Sequence, residues 1–127
     1  MRATRMSRIE TAVRTALAFI AAHNKNDFSA LQALVADSCR LESHFPPPAG
    51  TVYTSKAALT DYWQAYQTNY PQAQLTVEDD YGAGNRAVLR WRLVWSPAPG
   101  ASAQLRGAMI CKLREKQLHE IYLYAKG

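Results

Sequence analysis

Arg86-Ala87-Val88-Leu89-Arg90-Trp91-Arg92-Leu93-Val94-Trp95 alternates from end to end. Ala87, Leu89, Trp91, Leu93 and Trp95 fall on one face and Val88, Arg90, Arg92 and Val94 on the other, the period-2 pattern of a strand with one buried side. Upstream, Leu75, Val77 and Asp79 alternate with Thr76, Glu78 and Asp80, and Gly82-Ala83-Gly84-Asn85 is turn material between the two strands. Downstream, Pro97-Ala98-Pro99-Gly100 predicts a loop. Ala103 to Leu113 then alternates again, with Leu105, Gly107, Met109, Cys111 and Leu113 opposing Arg106, Ala108, Ile110 and Lys112. Arg114 to Lys116 turns the chain into a last strand, Gln117 to Tyr124.

Before Gln72 the period is helical. Ser7-Arg8-Ile9-Glu10 has the form of a capping box, and Ile9, Val13, Ala16, Leu17 and Ile20 follow at helical spacing with Phe19 beside them, which predicts a helix from Ser7 to His23. Asn24-Lys25-Asn26-Asp27 breaks it, and Asp27 caps a short second helix with Phe28, Leu31, Leu34 and Val35 on its apolar face. Cys39 to His44 reads as a strand, stopped by Pro46-Pro47-Pro48, whose nitrogens cannot donate to a ladder. A third helix starts near Ser55, buries Leu59, Tyr62, Trp63, Tyr66 and Tyr70, and ends at Pro71. Helices first and hairpin-linked strands after predict an α+β fold, three N-terminal helices on a strongly curved sheet. The short connections predict that the sheet is antiparallel. The hollow between the layers makes a cone with one apolar mouth, the cystatin-like shape. Residues 1–6 read as a flexible segment and 7–127 as a single domain.

The chain has 127 residues and a net charge of +5, but residues 1–14 alone carry +3 of it. No basic patch is concentrated elsewhere, so nucleic acid is not an expected partner. Ala16 to Ala22 is too short to span a bilayer and lacks a cleavage pattern, so neither a membrane segment nor a signal peptide is expected. The expected location is the cytoplasm. Cys39 and Cys111 stand alone, 72 residues apart, and read as buried free thiols rather than zinc ligands.

Several stretches carry a family likeness: Asn26-Asp27-Phe28-Ser29-Ala30-Leu31, Leu34-Val35-Ala36-Asp37, Thr54-Ser55-Lys56-Ala57-Ala58-Leu59, Ala87-Val88-Leu89-Arg90-Trp91-Arg92-Leu93, Leu105-Arg106-Gly107 and Leu118-His119-Glu120-Ile121. In this order the chain resembles the nuclear transport factor 2-like superfamily, and particularly its SnoaL-like and ketosteroid-isomerase-like branches, from about Arg8 to Tyr124. The isomerase branch uses an aspartate base with an oxyanion hole of a tyrosine and a protonated aspartic acid. The resemblance puts Phe19 at the tyrosine, Ser43 at the base and Met109 at the second acid. Neither phenylalanine nor methionine can donate, and serine is a poor base, so steroid-isomerase chemistry is not expected. SnoaL-like cyclases need only one or two acid–base residues around a polyketide, and Met109 replaces an acidic position of that branch too.

Strand and helix parity predict a pocket lined by Phe19, Ser43, Tyr62, Trp63, Tyr66, Leu89, Trp91, Met109, Ile121 and Leu123. Tyr62, Trp63, Tyr66, Trp91 and Trp95 are its aromatic set, core residues singly and a small-molecule lining together. The candidates for acid–base chemistry are His44, Asp79 and His119. By strand parity His44 opposes Ser43 and reaches the cavity only if the strand bends at Pro46; otherwise it is a rim histidine. Asp79 shares the parity of Leu75 and Val77, and His119 that of Ile121 and Leu123. His23 is read as a helix-end residue that complements the dipole. No metal set and no cofactor are expected. The outer sheet face, with Val88, Arg90, Arg92, Val94, Arg106, Ile110, Lys112, Tyr122 and Tyr124, is too apolar for a free surface, and the resemblance implies a homodimer through it. Two functions compete: binding of, or untyped acid–base chemistry on, a small cyclic or polyketide-like compound, and a non-catalytic homodimeric module whose cone is filled by its own side chains.

Overall fold

Ala12, Ala16, Phe19 and His23 recur every three or four residues along the first helix and are all buried. In the computed structural model, which describes residues 2–126 and the side chains of 10–126, this stripe faces the sheet. The elements in chain order are α1 (Arg2–Asn24), α2 (Phe28–Ala33), β1 (Val35–Ser43), β2 (Thr51–Tyr53), α3 (Leu59–Asn69), β3 (Gln74–Ala83), β4 (Arg86–Trp95), β5 (Ala103–Arg114) and β6 (Gln117–Lys126). Small Ala12 and Ala16 let α1 lie close on β3 and β4. The stripe is rotated from the expected one, since Val13 and Leu17 are only partly buried. The helix also starts at Arg2, ahead of the expected Ser7. Backbone that is already helical at Ser7 has no N-cap to fill there; the Ser7 and Ile9 side chains lie outside those described. Glu10 pairs instead with Arg14, one turn on, at the surface.

Asp27 caps α2 as its sequence predicts, its carboxylate accepting from the Ala30 N–H at 3.0 Å. Val35, expected on the α2 face, begins β1 instead. Ser55 opens a turn before α3, its Oγ accepting from the Ala58 N–H, and α3 proper starts at Leu59.

The six strands form one sheet in the order β2-β1-β6-β5-β4-β3. It is mixed, which corrects the antiparallel expectation: β1 runs parallel to β6, with Arg40, Leu41 and Glu42 opposite Glu120, Ile121 and Tyr122. The β3–β6 meander and the β1–β2 pair are antiparallel, as their short connections require. β1 and β6 are separated by most of the chain and free to pair in either direction. β2 adds a strand that the alternation does not predict: the proline loop delivers three residues back onto the edge of β1.

Asn24 locks α1 to the sheet. Its Nδ2 donates to the Leu75 carbonyl at 2.8 Å while its Oδ1 accepts from the Leu75 N–H at 2.7 Å, so one side chain supplies the pairing a neighbouring strand would. On the inner face Leu89, Met109, Ile121, Leu41, Cys39 and Cys111 are buried in the core. Both thiols are free, and burial pushes the Cys111 pKa up to about 11.

Trp91 lies across Gly107, its partner on β5. A Cβ at Gly107 would sit 2.4 Å from the indole and 2.1 Å from the Tyr124 carbonyl, so this position accepts no side chain unless backbone and ring both shift. Gly107→Ala is therefore expected to cost about 2–3 kcal/mol, read as a lower urea midpoint at unchanged slope. An unchanged midpoint would contradict this packing of Trp91.

Candidate functional site

The interior polar feature is His23, 2 % exposed, near the end of α1. Its Nδ1–H donates to the Phe19 carbonyl at 2.8 Å, because a carbonyl can only accept. Burial pushes its pKa down to about 4, so the ring is neutral and Nε2 accepts from the Tyr62 hydroxyl at 2.8 Å. His23 is thus no helix-end cation: it faces the core, where a positive charge would be unsolvated. Around it Phe19, Tyr62, Trp63 and Tyr66 set their rings at 4.7 to 5.8 Å. Desolvation raises the pKa values of Tyr62, Tyr66 and Tyr70, so these phenols stay protonated.

Between this cluster and the sheet lies an inner chamber of about 40 Å³, bounded by Phe19, Ile20 and His23 of α1, Tyr62, Ala65 and Tyr66 of α3, Tyr53 of β2, and Leu75, Trp91, Leu93 and Leu123 of the sheet. By the same measure one water needs roughly 10–15 Å³, so the chamber holds only a few water-sized groups. Beyond it is an open cleft of about 650 Å³ between the proline loop, the end of α3, and the ends of β4 and β6. Ser43, His44, Phe45, Tyr70 and Leu123 line both spaces and form the threshold. Trp95 and Leu105 wall the outer cleft.

The proline loop holds this threshold in place. The Phe45 carbonyl accepts from Ser43 Oγ at 2.9 Å and Thr51 Oγ1 at 3.0 Å, and Gly50 N–H donates to the Pro46 carbonyl. Gly50, at φ +74, passes so close to the Ser43 carbonyl that a Cβ would meet it at 1.9 Å. Because β1 stops at Ser43, His44 leaves the strand alternation and lines the cavity beside it, its ring 5.5 Å from Trp91 and 5.8 Å from Tyr70. Burial lowers its pKa.

Six of the ten expected lining residues border the inner chamber: Phe19, Ser43, Tyr62, Tyr66, Trp91 and Leu123. Leu89, Met109 and Ile121 are 0 % exposed, packed in the core and bordering neither space. Trp63 turns sideways to stack on Phe28 at 5.4 Å. Asp79 is exposed, because a bulge between Val77 and Asp79 shifts the ladder by one: Val77 pairs with inward Trp91, but Asp79 pairs with outward Arg90. His119 sits where the β5–β6 register breaks between Leu118 and Glu120, and it borders neither chamber. His44, Asp79 and His119 therefore share no cavity. His23, expected as a helix-end residue, belongs to the site instead, and its spacing from Ala12, Ala16 and Phe19 is the signal that puts it on the buried stripe. Among the described residues no three His, Cys, Asp or Glu side chains gather as metal ligands, and no helix is long and apolar enough to cross a membrane.

The depressed pKa of His23 has a consequence for stability. Between pH 6.5 and about 4 the unfolded chain takes up a proton that the folded chain refuses, so stability falls as pH is lowered through that window, by about 3 kcal/mol in all. In urea unfolding from pH 7 to pH 4, His23→Gln is expected to lose less stability than the parent by about that amount. His44 acts in the same direction in both proteins and cancels. Equal pH slopes would mean that folded His23 takes the proton.

The comparisons agree on the architecture. An NTF2-like protein of unknown function from Mesorhizobium loti superposes with a TM-score of 0.77 at 29% identity over 94% of each chain. A Xanthomonas campestris pv. campestris protein provisionally assigned as a polyketide cyclase gives 0.79 at 18% identity, covering 94% of this chain and 93% of its own. A ketosteroid isomerase-like fold from Catenulispora acidiphila, solved with trimethylamine, gives 0.75 at 17% identity over 87% and 83%. The last two likenesses are of fold alone. Comparison with curated proteins returned no match. The SnoaL-like domain family matches residues 16–121. With that stretch running from α1 to β6, the chain belongs to the SnoaL-like domain family.

Proposed function

We propose that this SnoaL-like protein binds a small cyclic compound at the threshold of its cone, with the ring in the outer cleft and one end in the inner chamber. The observation that carries this reading is the shared lining: Ser43, His44, Phe45, Tyr70 and Leu123 belong to both spaces, so the apolar cleft leads into the aromatic cluster. A cleft of about 650 Å³ is of the size that small-molecule sites have, and the inner chamber of about 40 Å³ is too small to hold such a compound whole. The sheet bulges between Val77 and Asp79 and between Lys112 and Leu113 support a sheet curved around this space. His44 is the imidazole of the threshold and stands neutral at pH 7, so an acid–base step on the bound compound would exchange its proton there. Phe19, Ser43 and Met109 offer no isomerase set: the Ser43 hydroxyl is engaged with the Phe45 carbonyl, and Met109 is packed away from the chamber.

Tryptophan emission tests the reading. Titrating the protein with a panel of aromatic and alicyclic ring compounds is expected to change the emission of Trp91 and Trp95, which border the two spaces. Trp63→Phe should keep the response, since Trp63 stacks on Phe28 outside the chambers, and Trp91→Phe should lose most of it. No emission change from any compound, with Trp91→Ala destabilised by roughly 3–5 kcal/mol, would mean that the cone is simply filled.

A separate observation favours a homodimer through the outer sheet face. Register places Tyr81, Val88, Ile110 and Tyr122 side by side across β3 to β6, an apolar row in which Tyr81 is 60 % and Ile110 39 % exposed. Arg92 and Tyr122 are expected to lose accessibility when two such faces meet. Sedimentation should give a dimer for the parent and a monomer for Ile110→Glu; a parent monomer of 14.2 kDa at micromolar concentration would refute it.

A further inference from the structure

The chemistry of the inner chamber is one-sided. No carboxylate, lysine or arginine lines it, and its two imidazoles, His23 and His44, are kept neutral by burial. Three of its other polar side chains are already engaged: Tyr62 donates to His23, His23 donates to the Phe19 carbonyl, and Ser43 donates to the Phe45 carbonyl, while Tyr53, Tyr70 and His44 of the same lining have no side-chain hydrogen bond among the described residues. Two of its lining residues carry a buried polar atom with no partner among the described residues, Tyr66 Oη and Trp91 Nε1. Tyr66 is 9 % exposed and Trp91 2 %, and both atoms are closed off from solvent. An indole N–H can only donate, and a neutral phenol is a good donor. A buried donor without an acceptor is unfavourable, so each of these two atoms calls for a lone pair.

Resting on the binding mode proposed above, we infer that the inner chamber selects the uncharged oxygen of its ligand, a ketone, ester or ether oxygen that accepts from Tyr66 and Trp91. A carboxylate would give up its hydration where no cation replaces it. An ammonium group could meet aromatic faces there, but it brings no acceptor and leaves the Trp91 N–H unpaired. A bare hydrocarbon fits the walls and satisfies neither donor. Tyr66 and Trp91 therefore act as specificity residues, and the outer cleft, where the Glu42 carboxylate is paired with Arg40, contributes mainly apolar contact.

Four probes with one ring skeleton separate these cases: 1-indanone, indane, indane-1-carboxylate and 1-aminoindane, titrated into the full chain by calorimetry at pH 7. The expected result is that 1-indanone binds at least tenfold more tightly than indane, and the two ions more weakly than either. Tyr66→Phe should weaken 1-indanone about fivefold to tenfold and leave indane unchanged, a pattern that a merely structural defect would not give. Trp91→Phe provides a second readout in the same direction should Tyr66→Phe fold poorly. Indane binding as tightly as 1-indanone, or a tighter ion, overturns this inference and leaves the binding reading standing. No binding by any of the four, up to millimolar concentration, counts against both.

Discussion

One hydrogen bond organises the interior, from Tyr62 Oη to Nε2 of the neutral His23. It joins α1 to α3 across a sequence separation of 39 residues, beside the ring contacts that His23 makes with Tyr62, Trp63 and Tyr66. Apolar contacts let a helix roll; a single buried donor–acceptor pair does not, because rolling would leave both groups unpaired. With Tyr62 held, Tyr66 and Tyr70 follow one and two turns later along the same face, and these three phenols set the roof of the chamber. The imidazole is also held by the Phe19 carbonyl, so the bond works only with the ring neutral and in one tautomer.

The floor is set by a complementary constraint. Trp91 can lie across its cross-strand partner only because that partner is Gly107, and the ring so placed is a wall of the inner chamber. Roof and floor together explain why the interior divides into a small chamber and a large cleft. The proline loop then decides where the division falls. By ending β1 at Ser43 and tying the Phe45 carbonyl to two hydroxyls, it turns His44 inward and puts Phe45 between the two spaces.

Most of the site's aromatic residues could be read from helical spacing, and the errors have a common physical origin. Parity propagates along a strand only while the ladder is regular. Asp79 comes after a bulge, and His119 sits where the register breaks, so both leave the face that alternation gave them. His44 moved the other way, because a strand end releases a residue from alternation altogether. Leu89, Met109 and Ile121 kept the expected face but lie too deep, since alternation gives direction and not distance from the mouth. Trp63 kept its helix but stacks on Phe28 at the edge of the cluster, because a helix face as broad as this one cannot aim all its rings at one space.

By itself the sequence determined the element types, the inward faces of β4 and β5, the Asp27 cap and the family likeness, because each rests on near-neighbour spacing that backbone geometry enforces locally. Only the tertiary structure decided the parallel β1–β6 pairing, the inward turn of His44, the neutral state of His23 and the unpartnered donors of Tyr66 and Trp91. Those depend on which residues far apart in the chain come to share one low-dielectric space. Hydrogen-bond satisfaction and protonation are properties of that space, and no local pattern of residues encodes it.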